Sequence, residues 1–184
     1  MEDAVKASEA KFKKAVEAVK KNFAAVRTGR ASPSLLDHVV VDYYGTKVPL
    51  KQLAGISVPE PRTIAITPYD KNSVKDVEKA IQTSDLGLPP STEAGVIRLN
   101  LPQPTEERRK ELVKLVKKEA EDGKVAVRNI RREIMDQLKK EKNKGTLSED
   151  AEKMKEEELQ KLVKKHTEEI DQLLAHKEKE ILEV

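Results

Sequence analysis

Two hydrophobic patterns divide the chain. From residue 2 to 28, apolar positions recur at three-four spacing: Val5, Phe12, Val16, Val19, Phe23 and Val26. That period puts them on one face of an amphipathic helix with a coiled-coil-like seam. The same spacing returns from Thr105 to Asn143, in Leu112, Val116, Ala120, Val127, Ile130, Ile134 and Leu138. This stretch holds no proline and a single glycine, Gly123, and as an unbroken helix it would reach roughly 58 Å. Gly123 costs about 1 kcal/mol relative to alanine; it permits either close helix approach or a slight bend. A third seam follows the Lys144-Gly145-Thr146 connection, in Leu159, Leu162, His166, Ile170, Leu173 and Ile181, with Ser148 as its N-cap. So short a connection returns the third helix antiparallel to the second.

Between the first two helices the period changes to that of strands, and all nine prolines fall between Pro33 and Pro104. Asp37–Tyr44 is β-branched and aromatic, Gly45-Thr46 turns it into Lys47–Leu50, and Ile56–Val58, Thr63–Thr67 and Gly95–Leu101 are further short strands. Asn72 or Ser73 caps a helix through about Ser84 that turns Val74, Val77, Ala80 and Ile81 inward. Three amphipathic helices can bury their seams only against one another. The pattern therefore predicts an α+β fold in two domains. An elongated antiparallel three-helix bundle takes residues 1–30 plus 105–184. A small β/α/β domain, residues 31–104, is inserted between helices 1 and 2. Two chain crossings, near 29–33 and 101–105, make a two-strand hinge of Gly29, Arg30, Ala31, Ser32 and Pro33 on one strand and Pro102, Gln103 and Pro104 on the other.

Charge changes the picture by its placement. The net charge is only +3, but residues 1–30 and 105–143 each carry +4, against −1 for 31–104 and −4 for 144–184. On the long helix the signs are sorted. Lys110, Lys114, Lys117, Lys124, Arg128, Arg131, Arg132 and Lys139 share one flank of the seam, interrupted by Glu121, while Glu111, Glu119, Asp122 and Glu133 share the other. A second basic row, Lys6, Lys13, Lys20 and Arg27, follows the seam of the first helix. This sorting points to a polyanion, and the planar forks of the arginines suit phosphate. The competing reading is a solvated face ion-paired to the acidic third helix.

Composition narrows the chemistry. With no cysteine, disulfides and thiolate metal sites are excluded, and no apolar run approaches a membrane span. A cytoplasmic protein is the expectation. No nucleophile–base pair, phosphate loop or metal motif stands out, so an enzyme, a cofactor or a metal is not expected. His166 reads as a seam histidine, and Tyr43, Tyr44 and Tyr69 as packed strand residues.

Several motifs carry a resemblance. Arg27-Thr28-Gly29-Arg30-Ala31-Ser32-Pro33-Ser34-Leu35-Leu36-Asp37, Tyr43-Tyr44-Gly45-Thr46, Ser84-Asp85-Leu86-Gly87-Leu88, Thr105-Glu106-Glu107-Arg108-Arg109-Lys110-Glu111-Leu112 and Ala126-Val127-Arg128-Asn129-Ile130-Arg131-Arg132-Glu133 together resemble the ribosome recycling factors over essentially the whole chain. The resemblance implies an L-shaped monomer that acts with elongation factor G to split post-termination ribosomes into subunits. It implies a bundle lying on large-subunit ribosomal RNA near the intersubunit bridges and a smaller domain that meets elongation factor G, whose GTP hydrolysis supplies the energy. Arg128, Arg131 and Arg132 match the family's RNA-contacting cluster, with Arg131 the most critical, and Arg27, Arg30 and Arg109 lie in matched motifs near the hinge. Lys117 and Lys124 extend the same ridge. A helical scaffold for protein partners, or an RNA chaperone, would share the charge pattern; steep salt dependence marks RNA contact, and a need for intact ribosomes sets recycling apart.

Overall fold

The computed structural model describes residues 3–183, and its contacts gather into two compact units, residues 3–27 with 106–183 and residues 28–105. The first unit is built from three helices, α1 (Ala4–Ala25), α4 (Glu106–Asn143) and α5 (Glu149–Leu182). Asp3 caps α1 by accepting from the Val5 N–H at 3.1 Å; Glu2, where the sequence pattern starts the helix, lies outside the described residues. Helix α4 opens with Glu106 and Glu107 at the positive end of its dipole. Ser148 caps α5, accepting from the Ala151 N–H at 3.2 Å.

Side-chain pairs set the helix directions. Lys11 meets Glu133 at 2.6 Å and Asn22 meets Glu119 at 2.8 Å, so α1 and α4 run antiparallel. Lys117 faces Glu178, Lys124 faces Asp171 and Lys142 faces Glu152, so α4 and α5 are antiparallel too. Asp3 to Lys155 and Phe12 to His166 make α1 and α5 parallel. Phe12, Val16, Val19, Leu112, Val116, Val127, Leu138, Leu159 and Ile170 form one continuous core.

The seams need three corrections. Ile130 is only half-buried, and Gly123 takes the fully buried position on that face of α4. A Cβ on Gly123 would overlap the Cγ2 methyl of Val19 and touch Ile170 Cδ1 at 3.4 Å. The glycine therefore serves close approach of three helices. On α5, Val163 joins the core while Leu162 and Leu173 sit at its edge. His166 is 1% exposed and stacked on Phe12 with ring centroids 5.4 Å apart; its Nδ1 lies 3.5 Å from a Glu169 carboxylate oxygen, and among the described residues neither ring nitrogen makes a hydrogen bond. It is a core residue.

The second unit holds six strands: β1 (Val40–Tyr43), β2 (Thr46–Pro49), β3 (Ala54–Glu60), β4 (Thr63–Pro68), β5 (Pro90–Glu93) and β6 (Val96–Asn100). A short helix, α2 (Leu50–Leu53), and a longer one, α3 (Val74–Gln82), complete it. β1 and β2 form a separate hairpin; the other four make an antiparallel sheet in the order β3-β4-β6-β5. Strand β4 is central, and its Thr63, Ile64, Ala65 and Ile66 are all buried. The α3 face, through Val77 and Ile81, closes the core with Leu36, Val41, Leu50, Ile97 and Leu99.

Here local chemistry displaced several expected boundaries. Pro33–Leu36 is a 3-10 turn capped by Ser32, so β1 starts only at Val40. Ser73 stands at the N-cap position of α3 as expected but makes no side-chain capping bond; Asp70 caps the preceding 3-10 turn, Lys71–Ser73, its carboxylate accepting from the Asn72 N–H at 2.9 Å. Strand β5 begins on a proline, tolerated because it is the edge strand. Both ends of the unit are tied to the β3–β4 turn: the Ala31 N–H donates to the Pro61 carbonyl at 2.7 Å and the Leu101 N–H to that of Arg62 at 2.8 Å.

Candidate nucleic-acid interface

The basic ridge of α4 is a consequence of how the helix buries its seam. With Leu112, Val116, Ala120, Gly123, Val127, Ile134 and Leu138 inward, the two charged flanks fall beside different neighbours. Glu119 and Glu133 border α1, where Asn22 and Lys11 meet them. Lys117 and Lys124 border the acidic α5.

That neighbour divides the cations. Lys117 lies 3.6 Å from Glu178, Lys124 pairs with Asp171, and Lys142 contacts Glu152 at 2.7 Å, a hydrogen bond that holds the Lys142 ammonium above its ordinary pKa. Arg128 pairs with Glu121 about two turns back along its own helix. Lys110 pairs with Glu106 at 3.2 Å. Among the described residues, Lys114, Arg131, Arg132 and Lys139 form no ion pair, and all four are exposed. The sequence pattern treats the flank as uniformly available, and for Lys117, Lys124 and Arg128 that is corrected. An intramolecular carboxylate already meets each of the three, though such exposed pairs are worth only about 0–1 kcal/mol and exchange readily. Arg128, Arg131 and Arg132 remain within one turn of one another, presenting three guanidinium groups along about 6 Å of axis.

The other candidate residues lie elsewhere. Arg27 is exposed at the end of α1, and with Arg108, Leu112 and Leu115 it lines a groove of about 450 Å³ on the α1 side of α4. Arg109 is half-buried and lines a different groove with Val113, Lys114 and Leu182. Arg30 is exposed and belongs to the small unit. Of the residues assigned to the hinge, Gly29 has φ of 80°, Ala31 is buried and hydrogen-bonded, and Ser32 and Pro33 are built into the 3-10 turn. Pro102 and Gln103 are exposed and Pro104 half-buried.

Comparison with known proteins decides what this arrangement belongs to. The sequence profile of the ribosome recycling factors matches residues 19–182, and the ribosome-recycling factor of Caldicellulosiruptor bescii is 54% identical over 184 residues, the whole of both chains. The chain belongs to the ribosome recycling factor family. A solution structure of a ribosome recycling factor superposes with a TM-score of 0.71 at 47% identity, covering 99% of this chain and 97% of that one. Models of the T. thermophilus recycling factor and E. coli elongation factor G bound to the E. coli post-termination complex give a TM-score of 0.61 at 46% identity, covering 97% of both chains. The α+β architecture is thus that of the family.

The tyrosines are the clearest surprise of the small unit. Tyr43 is half-buried and its hydroxyl donates to Asp70 at 3.1 Å, which holds the phenol above its ordinary pKa. Tyr44 and Tyr69, expected to pack, are 77% and 74% exposed. Alternation carried the signal: Val39 and Val41 point inward, so Val40, Asp42 and Tyr44 point out. Among the described residues no cluster of histidine and carboxylate side chains could hold a metal ion, and no helix is long and apolar enough to cross a membrane.

Proposed function

We propose that this protein recycles ribosomes, binding the post-termination ribosome through the basic ridge of its helical unit and, with elongation factor G, releasing the subunits. The observation that carries the reading is the unpaired Arg131–Arg132 edge beside Arg128 on a chain of this family. Guanidinium forks donate to two phosphate oxygens each, so the partner is the backbone of large-subunit ribosomal RNA rather than its base edges. Lys114 and Lys139 extend the contact along the helix. Lys117, Lys124 and Arg128 join it by exchanging a carboxylate for a phosphate, and Arg27, Arg30 and Arg109 act at the other end of the chain's matched motifs. The contact with elongation factor G is assigned to the small unit; the T. thermophilus relative and elongation factor G are bound to one post-termination complex. Pivoting is assigned to Gly29, Arg30, Pro102, Gln103 and Pro104, because Ala31 and Leu101 are held inside the small unit by their bonds to the Pro61–Arg62 turn.

The test is sedimentation of post-termination ribosomes with the protein, elongation factor G and GTP, in parallel with the Arg131→Glu variant. The unaltered chain releases free subunits. The variant loses charged hydrogen bonds worth about 1.5–3 kcal/mol, so ribosome affinity falls about tenfold or more, while circular dichroism and melting stay unchanged because Arg131 is exposed. Full affinity in the folded variant would move the RNA contact off this ridge.

A further inference from the structure

We propose that Glu121 is a positioning residue that restrains the basic ridge. It holds the Arg128 guanidinium back along α4, and a phosphate must displace it before Arg128 can join the contact. The chain then grips RNA less tightly, and leaves it sooner, than its cations alone would dictate. This rests on the reading above, in which the ridge of α4 meets ribosomal RNA.

The place of the acid is the first observation. From Lys110 to Lys139 the ridge carries eight cations, and Glu121 is the one acid among them, near the middle. It serves no seam, because its side chain is 58% exposed. Toward a polyanion it acts against its neighbours, repelling the charge that they attract.

Its partner is the second observation. Acids on a helix surface normally pair with bases three or four positions away. At those places stand Lys117 and Lys124, but Lys117 lies 3.6 Å from Glu178 and Lys124 pairs with Asp171, both on α5. Glu121 therefore takes Arg128, seven residues on and about 10 Å along the axis. To span that distance the Arg128 side chain must extend toward the N-terminal end of α4, although its backbone stands within one turn of Arg131 and Arg132. Its Nη2 donates to the Glu121 carboxylate, so one edge of the fork is occupied by an oxygen anion of the kind a phosphate would offer. Arg131 and Arg132 form no ion pair among the described residues and carry no such restraint.

An exposed pair exchanges readily, so Glu121 does not bar the phosphate. It weakens each encounter, and variants of one interface differ chiefly in how fast they dissociate. A protein that frees ribosomal subunits must itself come off them, and a limited grip suits that turnover.

The experiment measures binding and dissociation of the full chain on post-termination ribosomes across a salt series. It compares the unaltered chain with Glu121→Gln, Arg128→Gln, the two together, and Arg131→Glu. Glu121→Gln binds about fivefold tighter, mostly through slower dissociation. Its log–log salt slope steepens by about one, because one further phosphate is neutralised. In the Arg128→Gln background the same change strengthens binding less than about twofold and leaves the slope unaltered. Equal or weaker binding by Glu121→Gln would overturn the proposal, as would a gain that persists in full without Arg128. Arg131→Glu separates the two readings. Lost affinity there, with no gain from Glu121→Gln, keeps the ridge and removes the restraint; full affinity there removes the ridge and the restraint together.

Discussion

Gly123→Ala tests whether the three helices of the first unit meet as closely as the structure shows. Taken alone, the change favours the helix by about 1 kcal/mol, the difference in propensity between glycine and alanine. The added methyl, however, overlaps Val19 Cγ2 and reaches Ile170 Cδ1 at 3.4 Å. The far end of Ile170 can swing aside. Val19 cannot: it is 2% exposed, and a valine inside a helix keeps essentially one rotamer. Its methyl must withdraw by roughly an ångström to regain van der Waals distance, which takes α1 with it. Overpacking of this kind costs about 2 kcal/mol, within a range of about 1–3, so the net loss is about 1 kcal/mol and the bundle melts about 2–4 °C lower. Val19→Ala removes the offending methyl and leaves only ordinary contact, since the new Cβ lies 3.8 Å from the Cβ at position 19. In that background Gly123→Ala raises stability by about 1 kcal/mol, a coupling of about 2 kcal/mol between the two sites. Urea unfolding of the four proteins, followed by helical circular dichroism, reads both signs. Stabilisation by Gly123→Ala in both backgrounds would refute the close approach.

Two further outcomes follow from the same unit. The Lys155 ammonium, hydrogen-bonded at 2.8 Å, holds the Asp3 carboxyl below its ordinary pKa despite some opposing burial, and the Val5 N–H adds to this. A lowered folded-state pKa contributes stability that is present above about pH 4 and lost as pH falls through the folded value. Asp3→Asn keeps a capping side chain but removes the charge, so its deficit against the parent in thermal melts is present at pH 7 and shrinks below pH 4. His166→Leu replaces a buried ring whose two nitrogens lack hydrogen-bond partners; relief of that cost, about 1 kcal/mol, raises the melting temperature by about 2–4 °C, and a lower melting temperature would show that the stack on Phe12 outweighs it.

Periodicity made the helical unit legible because a helix reports its buried face directly. Leu112, Val116, Ala120, Val127, Ile134 and Leu138 could be placed inward from spacing alone, and all are buried. Spacing failed where the deciding atom belonged to another helix. Spacing left Gly123 open between close approach and a bend; Val19 and Ile170 on the other helices fill the space a side chain would need, and Ile130 is only half-buried. In the small unit the short elements gave less to read. Strand β5 escaped because Pro90-Ser91-Thr92-Glu93 shows no apolar–polar alternation and its partner β6 supplies the hydrogen bonds. The 3-10 turn at Pro33–Leu36 escaped because Ser32 organises it through one local bond, from the Ser34 N–H at 3.3 Å.

The candidate site shows the same division between what one helix knows and what only its neighbours decide. A helical wheel assigns Lys117, Lys124, Arg128, Arg131 and Arg132 to one flank, and that assignment holds. It says nothing about distance from the seam of α5. Lys117 and Lys124 lie on the part of the flank nearest that helix, and so meet Glu178 and Asp171. Arg132 lies farther round the cylinder, where no acid of α5 reaches, and Arg131, though closer to the seam, stands opposite no acid that pairs with it. The acidity of α5, net −4 over residues 144–184, thus engages Lys117 and Lys124, while among the described residues Arg131 and Arg132 pair with none of its carboxylates. A phosphate arriving at Arg131 and Arg132 has no carboxylate to displace there, whereas at Lys117 or Lys124 it competes with one. In the RNA contact we propose, the free energy would therefore be concentrated at Arg131 and Arg132, although the count of positive charges along the helix is spread almost evenly.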